Sequence, residues 1–178
     1  MIDLKPACEQ LTELLAGITD EQLDRPTPCA EYAVRDLVAH VDEAAWGFAS
    51  LAREEDDQPV PPLGADWRDV VSEHARDLGV AWGDAAAWEG RTPAAGVELT
   101  NAQWGRIALT EVVVHGWDLA QATGQPFDLP EPTLRACLEH VEEFVPEAPI
   151  PELWGTAVDV PADAPLLDRI VAITGRRP

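Results

Sequence analysis

The segment 104–122, WGRIALTEVVVHGWDLAQA, constrains this chain more than any other. Most of its positions are apolar, so a helix here is buried on several sides. At about 100° per residue, however, Trp104, Glu111, His115, Asp118 and Ala122 fall within about 60° of one another. Ile107, Ala108 and Leu119 flank that stripe. A carboxylate, an imidazole and a second carboxylate thus share one narrow face of an interior helix. A buried carboxylate is costly unless something compensates its charge. The segment therefore demands a partner.

A divalent metal is an effective partner. Glu111 and His115 are spaced i, i+4, so both side chains can reach one ion. Two ligands do not close a site. The best third candidate is His40, in RDLVAHVDEA on an earlier helix, because facing helices can project ligands into a shared core. His40, Glu111 and His115 would form a His₂Glu set with one position open, the catalytic rather than the structural type of zinc coordination. Other readings of the same residues stay open. Glu111 and His115 could be a buried ion pair, and His40 could bond a carbonyl or Asp36. Asp118 reads as the acceptor that fixes a histidine tautomer, or as a partner for a backbone or indole N–H.

The remaining polar candidates carry less. His74 and His140 sit in charged surroundings, SEHARD and LEHVEE, and read as solvated surface residues. The three cysteines, Cys8, Cys29 and Cys137, have no close spacing, which excludes a Cys₄ zinc site and predicts reduced thiols. Cys29 lies in a PTPCAEY loop with only Arg25 and Arg35 as basic neighbours in sequence, too little to predict a nucleophile. Trp46 falls on the polar side of its helix and reads as a contact surface.

Along the chain, Leu11, Leu14, Leu15 and Ile18 place a helix over 5–18. A second helix covers 33–54, with Leu37, Val41, Ala44 and Phe48 on one face and His40 at its edge. The acidic, proline-rich stretch 54–64 reads as a loop. A third helix covers about 66–88, and the piece 97–100 (VELT) reads as a short strand. The fourth helix, about 104–123, stops at Gly124. A fifth covers about 131–144, 145–164 is proline-rich, and a last short helix covers about 165–174, ending at Gly175. There is no repeat and no linker between two cores. The pattern predicts an all-α helix bundle forming a single domain over 1–178, with 145–178 as an extended tail packed on it.

Charge and hydropathy narrow the function classes. Acidic residues number 33 against 12 basic ones, a formal net charge of −21, which disfavours nucleic acid and anionic membranes as partners. No apolar run is long enough to span a bilayer and the N-terminus lacks a signal-peptide core, which predicts a cytoplasmic protein. Apolar helix faces leave monomer and homodimer both open.

Two blocks carry a resemblance. Residues 20–41, DEQLDRPTPCAEYAVRDLVAHV, resemble the start of the mycothiol-dependent maleylpyruvate isomerase metal-binding domain. Residues 108–124, ALTEVVVHGWDLAQATG, resemble its second signature, Glu-x-x-x-His-x-Trp-Asp-Leu-Ala. The tail VPADAPLLDRIVAITGRRP is similar to that of an actinobacterial branch of metal-binding proteins. The resemblance implies a DinB/YfiT-like antiparallel four-helix bundle with additional short C-terminal helices. It also implies a divalent metal, zinc first and nickel second, on His40, Glu111 and His115. It implies mycothiol as co-substrate: a coordinated thiol is held as thiolate and attacks a small electrophile, in a transferase or an isomerase. Full-length isomerases of the family carry a further C-terminal domain, whereas about 34 residues follow the fifth helix here, so the metal-and-thiol half is the better supported. Arg169, Arg176 and Arg177 in the tail read as solvated, or as contacts for an anionic substrate. Two other functions fit the same residues: a metal-dependent hydrolase using bound water, and a non-enzymatic metal-binding or regulatory bundle.

Overall fold

In the computed structural model of the chain, residues 1–30, 32–55, 59–148 and 154–178 are described. Residues 56–58 of the predicted acidic loop, 149–153 of the proline-rich stretch and residue 31 of the first resemblance block lie outside them.

The protein is mostly helical. The central element is α4 (Asn101–Thr123), which buries residues on every side along most of its length. It starts three residues earlier than apolar periodicity suggests. Thr100 caps it: the Thr100 hydroxyl accepts from the Gln103 N–H at 3.2 Å, and Gln103 Oε1 accepts from the Thr100 N–H at 2.9 Å. It ends at Gly124, whose φ of 72° is the left-handed conformation that terminates helices.

α1 (Lys5–Gly17) packs on α3 (Trp67–Ala81) and α4, and α2 (Val34–Ala52) packs on the same two helices. Their shared core includes Leu11, Leu15, Leu37, Leu78 and Leu109, all at most 1% exposed. α3 is shorter than the predicted 66–88. It stops at Ala81, and a 3₁₀ turn over Ala85–Trp88 follows, capped by the Asp84 side chain on the Ala86 N–H. The turn sets Trp88 edge-on to Trp82, with ring centroids 5.1 Å apart, and both rings lie against Gly105 of α4. A Cβ at Gly105 would stand 2.7 Å from the Trp82 ring, so only glycine admits this approach.

The predicted strand at 97–100 is present, and it has a partner the sequence did not reveal. β1 (Arg91–Ala94) and β2 (Val97–Thr100) form an antiparallel hairpin in which Ala94 faces Val97. The two-residue turn puts both Ala95 (φ 49°) and Gly96 (φ 78°) in the left-handed region that tight hairpins require. α5 (Glu131–Phe144) packs on α4, and α6 (Leu166–Ile173) packs on α5 and touches α4. Beyond α6 the chain reverses at Gly175, φ 90°, against Gly155. That reversal carries Arg176 back into the interior. No helix among the described residues is long and apolar enough to cross a membrane.

Candidate metal centre

Helix geometry alone puts Glu111 and His115 one turn apart on α4, and packing of α2 against α4 brings His40 to them. His40, Ala44 and Phe48 follow one another at four-residue steps along α2 and line one cavity with Glu111 and His115. Its volume is about 760 Å³, within the range of small-molecule sites. The hairpin, the C-terminal tail and the loop around Cys29 complete its wall.

One oxygen organises the centre. Glu111 Oε2 lies 3.2 Å from His40 Nε2 and 3.2 Å from His115 Nε2. The two imidazoles meet edge to face, with ring centroids 4.8 Å apart, and Tyr32 stacks on His40. On the far side of His115, Nδ1 lies 3.1 Å from Asp118 Oδ2. Asp118 is fully buried and is gripped by the Arg176 guanidinium, whose Nη2 donates to Oδ2 at 2.8 Å and whose Nε donates to Oδ1 at 3.2 Å. Arg176 Nη1 also donates to the Thr174 carbonyl.

His115 therefore has a carboxylate oxygen at each ring nitrogen. A neutral imidazole carries one N–H, so one of its lone pairs would face an anion. A positive charge resolves the conflict, either as a proton that makes His115 an imidazolium or as a cation between Nε2 and Glu111. Without a metal, burial works to push His115 down, but hydrogen bonds to Asp118 and Glu111 and their charges outweigh it and raise its pKa to about 9. Burial likewise works to raise Glu111, and the hydrogen bonds and charges of His115 and His40 hold it down at about 2.

The donor set fits a metal. The ligand atoms of His40, Glu111 and His115 all lie within 4.8 Å of one another. Two of the separations are 3.2 Å, against about 3.3 Å between ligands of a tetrahedral ion with bonds of about 2.0–2.1 Å. With Asp118 accepting from Nδ1–H, the His115 Nε2 lone pair is free to point at an ion, the arrangement common to metal-bound histidines. Cys29, His115 and Asp118 form a second cluster of the same compactness. Asp118 is already committed to Arg176 there, which makes that set the poorer cradle.

The structure brings together all four residues singled out from sequence, His40, Glu111, His115 and Asp118. It corrects other expectations. Arg176 is not a solvated terminal arginine; it is 8% exposed and holds Asp118. His140 is buried, 3% exposed and stacked on Phe144, and burial, helped by the charge of Arg106, pushes its pKa down to about 4. His74 is no surface residue either: its Nδ1 lies 2.7 Å from the buried Asp42. Trp46 is half-buried against the His74 ring, its centroid 4.9 Å away. Cys29, set aside from sequence, stands at the cavity beside His115.

Fold and site define a mostly helical protein that gathers a His–Glu–His donor set in one wall of a cavity between its helices. The chain belongs to the mycothiol maleylpyruvate isomerase N-terminal domain family, which matches residues 4–120. Two curated relatives, the uncharacterized proteins MT0763 and Rv0738 of two Mycobacterium tuberculosis strains, are each 32% identical over 127 residues, 69% of this chain. Crystal structures of the mycothiol-dependent maleylpyruvate isomerase and of one of its mutants superpose with a TM-score of 0.60 at 20% identity over 78% of this chain, a likeness of fold. The chain spans 66% of the length of these relatives and of these structures.

Proposed function

We propose that this protein is a divalent-metal enzyme that joins mycothiol to a small electrophile, as a transferase or, with release of the thiol, as an isomerase. The observation that carries this reading is His115 wedged between the carboxylates of Glu111 and Asp118, with His40 reaching the same Glu111 oxygen. His40, Glu111 and His115 would hold the ion, zinc first and nickel second as the family resemblance implies; imidazole and carboxylate donors accept either. When bound, such an ion lowers the pKa of a coordinated thiol, so that the nucleophile is the thiolate at neutral pH.

The chain's own residues do the rest. Asp118 keeps the His115 proton on Nδ1, and Arg176 keeps Asp118 oriented. Phe48, Trp104, Phe144 and Trp154 wall the cavity and exclude water from the reacting carbon. A reduced small-molecule thiol as co-substrate suits the cytoplasm. The pairwise packing of α1–α4 supports the DinB/YfiT-like antiparallel four-helix bundle, and the contacts of α6 with α4 and α5 support one domain over 1–178.

The test is metal analysis of the purified protein, followed by mycothiol-adduct formation with and without a chelator. One equivalent of a divalent metal and chelator-sensitive adduct formation are expected, with His115→Ala inactive. Adduct formation that is indifferent to both the chelator and His115→Ala would sink the proposal.

A further inference from the structure

The packing that brings His40 to Glu111 also extends the cavity away from them along two helices. From that pair, α2 runs forward through Ala44 to Phe48 and α4 runs back through Ile107 to Trp104, and all six residues line the one cavity. The two helices are therefore antiparallel here. They meet again at Phe48 and Trp104, whose ring centroids are 6.3 Å apart. At about 1.5 Å per residue, the steps from 40 to 48 and from 111 to 104 put this aromatic pair about 10–12 Å beyond the donor set. Midway, α2 presents the methyl of Ala44, half-buried, so the groove stays open between its two ends. The hairpin closes the far end, because β2 runs through Thr100 into α4 and Trp104 Nε1 donates to the Thr92 carbonyl at 2.8 Å. That bond occupies the indole donor. The far end is thus walled by apolar side chains, Phe48, Ala95, Val97, Leu99 and Trp104. A second cavity of about 420 Å³ adjoins the first and shares both rings, which stand between the two.

We propose that the electrophile carries an extended apolar arm of alkyl-chain width, laid along the α2–α4 groove, with Ala44 admitting the arm and the Phe48–Trp104 pair setting its length. The inference rests on the reading of the donor set as the place of reaction, which fixes the head of the electrophile at that end. Mycothiol carries its sulfur on a polar sugar conjugate, which gains nothing from an apolar wall, so the arm is left to the electrophile. An apolar arm leaves water on entering the groove, and each methylene buried there adds affinity until the two rings stop it.

The probes are straight-chain alkyl hydroxamates, aceto-, butano-, hexano-, octano- and decanohydroxamate, which share one metal-seeking head and differ in the arm. Each is titrated calorimetrically into the purified protein, with its metal and after the metal has been dialysed away. Affinity is expected to rise about two- to four-fold per added methylene and to level off beyond the octano member. In Ala44→Leu, which fills the middle of the groove and suits a helix, the preference for octano- over acetohydroxamate is expected to fall at least ten-fold. Phe48→Ala opens the groove into the adjoining cavity and is expected to move the levelling-off to longer chains. Affinity that does not depend on chain length, a length preference unmoved in both variants, or binding of no member overturns the inference. The metal arm separates the two proposals. Metal-dependent binding without length dependence overturns the arm and leaves the enzyme reading standing. Length-dependent, Ala44-sensitive binding in a protein that holds no divalent metal supports the arm and overturns the enzyme reading.

Discussion

Removing the guanidinium of Arg176 tests whether the tail completes the site. In Arg176→Ala, Asp118 loses donors at 2.8 and 3.2 Å and retains His115 Nδ1 at 3.1 Å. Asp118 is 0% exposed, so water cannot replace the lost partner without opening the core. Breaking a buried pair by deleting one member costs about 3–5 kcal/mol, because the other charge is left uncompensated. The surviving His115 contact places this case at the lower end, about 3 kcal/mol. For a chain of this size that corresponds to a fall in Tm of roughly 6–12 °C. Arg135→Ala is the internal control. Its exposed i, i+4 pair with Glu131 should cost only about 0.5 kcal/mol or less. Thermal unfolding followed by circular dichroism at pH 7 reads both. Arg176→Ala should also lose metal more readily to a chelator, because an Asp118 that rotates away no longer fixes His115. A Tm within about 2 °C of Arg135→Ala, with unchanged metal retention, would refute the account of Arg176 as a structural partner of the site.

Other expectations are smaller in scope. The His140 pKa is about 4 in the folded chain against about 6.5 unfolded, so the unfolded state binds the extra proton between those values. Its contribution to stability is complete above pH about 6.5 and falls away as the pH drops toward 4; urea midpoints across that window should flatten in His140→Gln, and an unchanged slope would remove His140 as the cause. Ala95 holds φ 49° in the hairpin turn, a conformation Asn tolerates better, so Ala95→Asn should gain about 0.5–1 kcal/mol in urea unfolding. Gly105→Ala puts a Cβ 2.7 Å from the Trp82 ring, which is pinned by its bond to the Phe48 carbonyl. A loss of about 1–3 kcal/mol is expected despite the better helix propensity of alanine, and a gain instead would mean that the ring moves freely.

The six α-helices among the described residues were legible in the sequence, the first three from a face that repeats at helical spacing, the fourth from its nearly continuous apolar character, and the last two from the proline and glycine that bound them. Their ends were less legible. The start of α4 is set by the capping pair Thr100 and Gln103, which lies outside the apolar pattern. The end of α3 is set where Trp82 and Trp88 dock on Gly105, a contact between distant segments. The flanking charges of His74 and His140 suggested solvent, but burial follows from which face of a helix meets a neighbour. Asp42 and Phe144 are the groups those histidines meet.

What the sequence determined by itself is the stripe on α4. Glu111, His115 and Asp118 share a face because 3.6 residues per turn leave no alternative once the segment is helical. Tertiary structure decided who answers that stripe. His40 arrives from 71 residues away and Arg176 from 58 residues beyond Asp118. Arg176 also lies outside the segment matched by the family, which ends at residue 120. Local geometry can place like charges side by side, but only packing between distant elements can bring the groups that neutralise them, and no periodicity within one helix encodes that meeting.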